Sequence, residues 1–116
     1  MGYKNYNLVG ADSKANSGSG APSLQATTVP SKLFSITVYN NNVGSQFIQL
    51  HDASSVPADT SVPELSWAIA TQTHLHVEWP LGRQMATGIY VCNSTTDVTK
   101  TIGASDCLID AVYRID

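Results

Sequence analysis

Charge is scarce in this sequence. Only 13% of its 116 residues are Asp, Glu, Lys or Arg, about half the usual quarter. A helical protein of this size tends to cover its surface with Glu, Lys and Arg. Here Ser, Thr, Asn and Gln must do so, as is common in all-β proteins and rigid assemblies. Six basic against nine acidic residues leave a net charge of −3, and no basic stripe occurs. The electrostatic footprint of a nucleic-acid binder is therefore missing. No apolar run approaches the roughly 18 residues that cross a bilayer as a helix. The opening MGYKNYNLVGADSKANSGSG has no apolar core of a signal peptide, and Tyr6 stands where an N-myristoylation motif needs Ser or Thr. These absences predict a chain made in a cytosol, without a membrane partner. Cysteine is limited to Cys92 and Cys107, too few for a secreted disulfide scaffold.

What is present divides the chain in two. Residues 10–32, GADSKANSGSGAPSLQATTVPSK, are rich in small and hydroxyl side chains and poor in large apolar ones. Such a stretch does not bury enough surface to offset the entropy of ordering it. It predicts an extended N-terminal arm, residues 1–32, that orders on another chain. Its anchors would be Tyr3, Tyr6, Leu8, Val9 and Leu24, because only these bury much area. Charge is uneven in the same sense. Residues 1–32 hold three lysines against Asp12, whereas the remainder holds Arg83, Lys100 and Arg114 against eight acids. The arm suits an acidic neighbour, such as a sister subunit.

From Leu33 the apolar residues alternate with polar ones and are β-branched or aromatic, as strands prefer. Strands are predicted at LFSITVYN (33–40), QFIQLHD (46–52), ELSWAIAT (64–71), THLHVEW (73–79), MATGIYVCN (85–93) and CLIDAVYRI (107–115). Pro80 is read as the end of the fourth of these. No segment has a helical period. Six strands at turn-punctuated spacing predict an all-β domain over residues 33–116, an antiparallel β-sandwich or small jelly roll.

The segment HLHVEW (74–79) is the most suggestive of chemistry. Two imidazoles and a carboxylate alternate with Leu75, Val77 and Trp79, so His74, His76 and Glu78 share one face of a strand. Zinc and iron sites use such groups. Side chains two apart on a strand, however, lie nearly 7 Å apart and spread along a row. The row is read as facing water or a neighbouring subunit, with no metal and no cofactor. If an interface buries the imidazoles, assembly depends on pH near 6. Arg83, after Pro80-Leu81-Gly82, is either a solvated surface charge or a partner for a neighbour's carboxylate.

Cys92 and Cys107, at the end of one predicted strand and the start of the next, would face each other in a hairpin. They are either a disulfide or, the reading preferred for a cytosolic product, two reduced thiols in a sheet. His51-Asp52 and the many serines lack a G-x-S-x-G elbow, and Asp106 and Asp110 are too far apart along a strand to share a substrate. No catalytic residue is predicted. Trp67 and Trp79 are read as core, the alternative being a sugar-stacking surface.

QFIQLHDASSVPADTSVP (46–63) and WPLGRQMATGIYVCNSTTDVTKTIGASDC (79–107) resemble a group of small virion proteins of tailed bacteriophages. The resemblance covers roughly residues 33–114 and leaves out the arm. It implies a non-enzymatic β-sandwich module of the particle. The place implied is the capsid exterior, as a decoration or cement protein bound to the major capsid protein as a homotrimer or other homo-oligomer. A tail or head-fibre module that holds host glycan is the alternative. The resemblance brings no active-site residues with it.

Overall fold

The computed structural model describes residues 13–116 of the chain. Within them eight strands form: β1 (Ser13–Asn16), β2 (Ser23–Thr27), β3 (Ser31–Asn40), β4 (Gln46–His51), β5 (Leu65–Ile69), β6 (His74–Met85), β7 (Ile89–Ser94) and β8 (Cys107–Ile115). They make two four-stranded sheets, in the orders β1-β8-β3-β6 and β2-β7-β4-β5. All pairings are antiparallel. The pairs β1·β8, β2·β7, β3·β6 and β4·β5 are the rungs of one long two-stranded ribbon folded over on itself. That strand order makes the sandwich a jelly roll.

The core lies between the sheets. Leu33, Ile36 and Val38 of β3, Ile48 and Leu50 of β4, Ile89 and Val91 of β7, and Ile109 and Ala111 of β8 are all inaccessible or nearly so. Their spacing of two follows from the strand pleat, except between Leu33 and Ile36, where the register of β3 shifts. Trp67 on β5 and Trp79 on β6 are partly buried against this core. Their rings lie 6.3 Å apart at 58°. Because β5 and β6 are edge strands of different sheets, the pair closes one open side of the sandwich. The Trp residues thus pack as the alternating pattern predicts.

Two expectations are corrected. The first is the boundary at residue 33. β1 and β2 lie within the segment read as arm, and they pair with β8 and β7. A strand held in place by backbone pairing along one edge needs few large side chains of its own. Ala15 and Ala26 suffice to pack against the core. Leu24 is buried in this same core, 9% exposed, so it anchors β2 and not a partner chain. Tyr3, Tyr6, Leu8 and Val9 lie outside the described residues.

The second correction is Pro80, which does not end its strand. β6 runs on to Met85. Ser35 pairs with Glu78 and Leu33 with Arg83, so Phe34 alone stands opposite the four residues Trp79–Gly82. An edge strand with such a bulge tolerates proline, whose missing N–H is not needed there. Gly82 turns the chain back with φ +83°, and a Cβ there would meet Lys32 and the Phe34 ring at 3.2 Å. Phe34 is thereby covered, and it packs on Val112 apart from the main core.

Candidate interaction face

The two sheets differ in what covers their outer sides. Every residue of β7 is buried, whereas His74–Pro80 alternate between exposed and half-buried. Loops 52–64 and 95–106 account for the difference, because they lie over the outside of the β2-β7-β4-β5 sheet. Gln49 on β4 sends its amide N–H groups to the carbonyls of Thr96, Asp97 and Thr99 at 2.9–3.0 Å. Lys100, 3% exposed, donates from Nζ to the Pro57 carbonyl at 2.6 Å and lies 3.6 Å from Asp59. Backbone bonds from Thr60 to Lys100 and from Lys100 to Ser61 complete the seam.

Among the described residues, the outer side of the β1-β8-β3-β6 sheet has no such cover. Register places Lys14, Val112, Ser35 and Glu78 in one row across it. Asn16, Asp110, Thr37 and His76 form the next, and Leu108, Tyr39 and His74 the one beyond. His74, His76 and Glu78 are exposed, and Leu75, Val77 and Trp79 turn to the core, as the alternation predicts. The row is internally bonded. Glu78 accepts from His76 Nε2 at 2.8 Å, which leaves Nδ1 to accept from the Thr37 hydroxyl at 2.7 Å. His74 stacks on Tyr39 with ring centres 4.7 Å apart.

A hydroxyl, an imidazole and a carboxylate in sequence are the parts of an activated nucleophile. Here they lie in a row across adjacent strands on an open sheet face. Among the described residues, no three His, Cys, Asp or Glu side chains converge as a metal site. His51, on β4 of the other sheet, does not join His74 and His76.

At the other end of this face Lys32 stands directly opposite Arg114, and Lys14 is two positions along from Arg114's row. Like charges directly across a ladder repel. Among the described residues none of the three side chains has an ion pair or hydrogen bond. Arg83 has a carboxylate of its own chain near it. It is half-buried and lies 3.9 Å from Glu64.

The thiols are also apart. Cys92 belongs to β7 and Cys107 to β8, which are in different sheets, and both are free and buried. The predicted hairpin does not form because β7 and β8 cross from one sheet to the other. Burial pushes the Cys92 thiol up to about 11, and it also raises Cys107. Cys107 lies in a polar plug that fills one end of the sandwich. There the amides of Gln46 and Asn93 donate to Asp106 Oδ1 at 2.9 and 3.0 Å, and Asn42 donates to Oδ2.

A groove of about 710 Å³ opens beside loop 52–64, lined by His51, Val56, Pro57, Val62, Pro63 and Glu64 among others. Sequence reasoning did not find it, nor the parts played by Gln49 and Lys100. A lysine in a Thr-rich loop carries no mark of burial. No protein-family description, curated protein or solved structure matches this chain.

Proposed function

We propose that this chain is a non-enzymatic structural protein of a bacteriophage virion, a decoration protein that seats its uncovered sheet on the major capsid protein lattice. The observation that carries the reading is the jelly-roll strand order with one sheet covered by its own loops and the other left uncovered by any of the described residues. Jelly rolls are a recurrent architecture of viral capsid shells. Fold alone does not fix function, so the face matters. Its Lys14, Lys32 and Arg114, without an ion pair among the described residues, offer charge to carboxylates on a partner, and charges arranged this way steer encounter and register more than they add affinity. The resemblance of residues 46–63 and 79–107 to small phage virion proteins points the same way. Repetition of a modest contact over a symmetric lattice supplies avidity.

The alternative, a fibre module holding host glycan, has less support. Sugar rings stack on flat, open aromatic faces, whereas Trp67 and Trp79 are tilted against one another and partly buried in the side of the sandwich.

Immunogold labelling of intact phage particles tests the proposal. Label over heads is the expected result. Label confined to tails would favour the fibre module, and particles free of label would overturn a virion role.

A further inference from the structure

We propose that the groove beside loop 52–64 receives a tyrosine from residues 1–12 of a second copy of this chain, so that copies are tied together arm into groove. The starting point is His51. It is 4% exposed, yet its ring lines the groove. Its Nε2 lies 3.0 Å from Gln49 Oε1. The amide end of Gln49 is committed to three carbonyls, so the end facing His51 is the oxygen. Nε2 therefore carries the proton. In the neutral ring Nδ1 is then an acceptor, and among the described residues nothing donates to it. Burial, with Lys100 nearby, holds the imidazole below its ordinary pKa and so favours that neutral form.

An acceptor on a lining residue and apolar walls thus come together at the groove. Two Ser-Val-Pro triplets, Ser55–Pro57 and Ser61–Pro63, supply Val56, Pro57, Val62 and Pro63 to the lining. Val56 and Val62 are 58% and 77% exposed. A phenol fits this combination: its ring packs on proline and valine, and its O–H donates to Nδ1. Carboxylates stand at the rim, where Glu64 is about half exposed and Asp59 lies just outside. Each already has a cation of its own chain near it, Arg83 at 3.9 Å and Lys100 at 3.6 Å, and its exposed half leaves room for a second beside the phenol.

Residues 1–12 hold both groups. Tyr3 and Tyr6 flank Lys4, with Leu8 and Val9 following. Twelve extended residues span at most about 40 Å, and they join the body at Ser13, on edge strand β1. β5 and the groove lie toward the opposite edge. Reaching its own groove would require the segment to wrap across the end of the sandwich. A neighbouring copy presents the groove without that detour. The charge imbalance between residues 1–32 and the rest of the chain has the same sense.

The inference concerns contacts between copies and does not depend on where in a virion they are seated. The purified full-length chain is therefore the material for the test. Sedimentation velocity is run on the wild type, Tyr3→Ala/Tyr6→Ala, Tyr3→Phe/Tyr6→Phe and Val62→Lys. The wild type is expected to self-associate. The double alanine variant and Val62→Lys are expected to sediment as monomers. The double phenylalanine variant should associate about fivefold more weakly, the worth of a hydroxyl hydrogen bond. Val62 is exposed and Tyr3 and Tyr6 precede the sandwich, so folding is expected to survive in each. In parallel, ¹⁴N- and ¹⁵N-labelled wild type are mixed and treated with a zero-length carbodiimide cross-linker. Lys4–Glu64 or Lys4–Asp59 links of mixed isotope are expected. A monomeric wild type, an oligomer unchanged in the alanine variant, or links of matched isotope only would each overturn the proposal.

Discussion

Lys100 Nζ donates to the Pro57 carbonyl oxygen at 2.6 Å and thereby fastens one long loop to another over the outside of a sheet. The ammonium is almost wholly buried, and its nearest carboxylate, Asp59, is 3.6 Å away and half exposed. The carbonyl is thus the closer partner, and the ion pair, whose carboxylate is half exposed and 3.6 Å away, adds less. Lys100→Met keeps the stem and removes the donor. It should lower the unfolding free energy by about 1–3 kcal/mol, the cost of orphaning a bond to a charged group. Asp59→Asn should cost less than about 1 kcal/mol. Urea unfolding curves of both variants check this, with an unchanged slope as the sign that the fold is retained.

His51 makes stability depend on pH. Burial, then the charge on Lys100, depresses its folded pKa below 6.5. Between that folded value and 6.5, the unfolded state binds the proton more readily. Stability from this residue is therefore full above pH 6.5 and is lost as the pH falls through the window below it. His51→Gln should flatten this part of the acid limb. Unfolding midpoints measured from pH 7.5 down to pH 4.5, wild type beside variant, report the difference directly. An imidazole that titrates above 6.5 by NMR would contradict the assignment.

The two thiols should be inert in the native protein. Cys92 is inaccessible and its pKa is pushed up to about 11 by burial, so almost no thiolate exists at pH 8. Cys107 is inaccessible and raised in the same direction. Ellman's reagent at pH 8 is expected to react with neither until urea unfolds the chain, and then with both. Because the thiols sit in different sheets, the intact mass of protein kept in air should show no loss of two hydrogens. A fast native reaction of even one equivalent would mean that a strand opens locally.

Much of this architecture was legible because strand periodicity reports burial directly. Ile36, Val38, Leu75, Val77, Ile109 and Ala111 sit where alternation puts them. β1 and β2 were hidden because Ser13–Asn16 and Ser23–Thr27 hold only Leu24 as a large apolar group. Their order comes from backbone pairing with β8 and β7, which leaves no trace in composition. The exposed row His74, His76, Glu78 was readable for the same reason as the core. Its bonds to Thr37 and Tyr39 were not, since they depend on which strand lies beside β6. The groove and the buried Lys100 arise from loops meeting over a sheet, and loops have no period to read.

Asp106 tests the polar plug at one end of the sandwich. Its carboxylate accepts from the side-chain amides of Gln46, Asn93 and Asn42, and Gln46 also donates to Asn40 Oδ1 at 2.7 Å. Asp106→Ala removes the acceptor common to three amides, two of them on residues that are no more than 5% exposed. Leaving buried donors unmet costs about 1–3 kcal/mol each when no water enters, so a loss of at least about 2 kcal/mol is expected. Differential scanning calorimetry reads it as a clear fall in Tm. Asp110, whose side chain accepts only from exposed Asn16 among the described residues, is the control, and Asp110→Ala should change stability by less than about 0.5 kcal/mol.

Lys32 and Arg114 separate stability from function on the bare face. They stand opposite one another across β3 and β8 with no anion between them among the described residues. A repulsion of this kind costs a few tenths of a kcal/mol and does nothing for the isolated domain. Lys32→Gln should therefore leave stability unchanged or raise it by up to about 0.5 kcal/mol in urea. If the face meets an acidic partner, the same substitution should weaken that contact and reduce its dependence on salt. Occupancy on phage heads, counted by quantitative mass spectrometry of purified particles at low and at high salt, measures the second effect. A variant at least as stable as the wild type yet depleted from heads is the expected pair of results. Full occupancy would show that Lys32 and Arg114 face solvent in the particle, and would move the attachment surface elsewhere on the molecule.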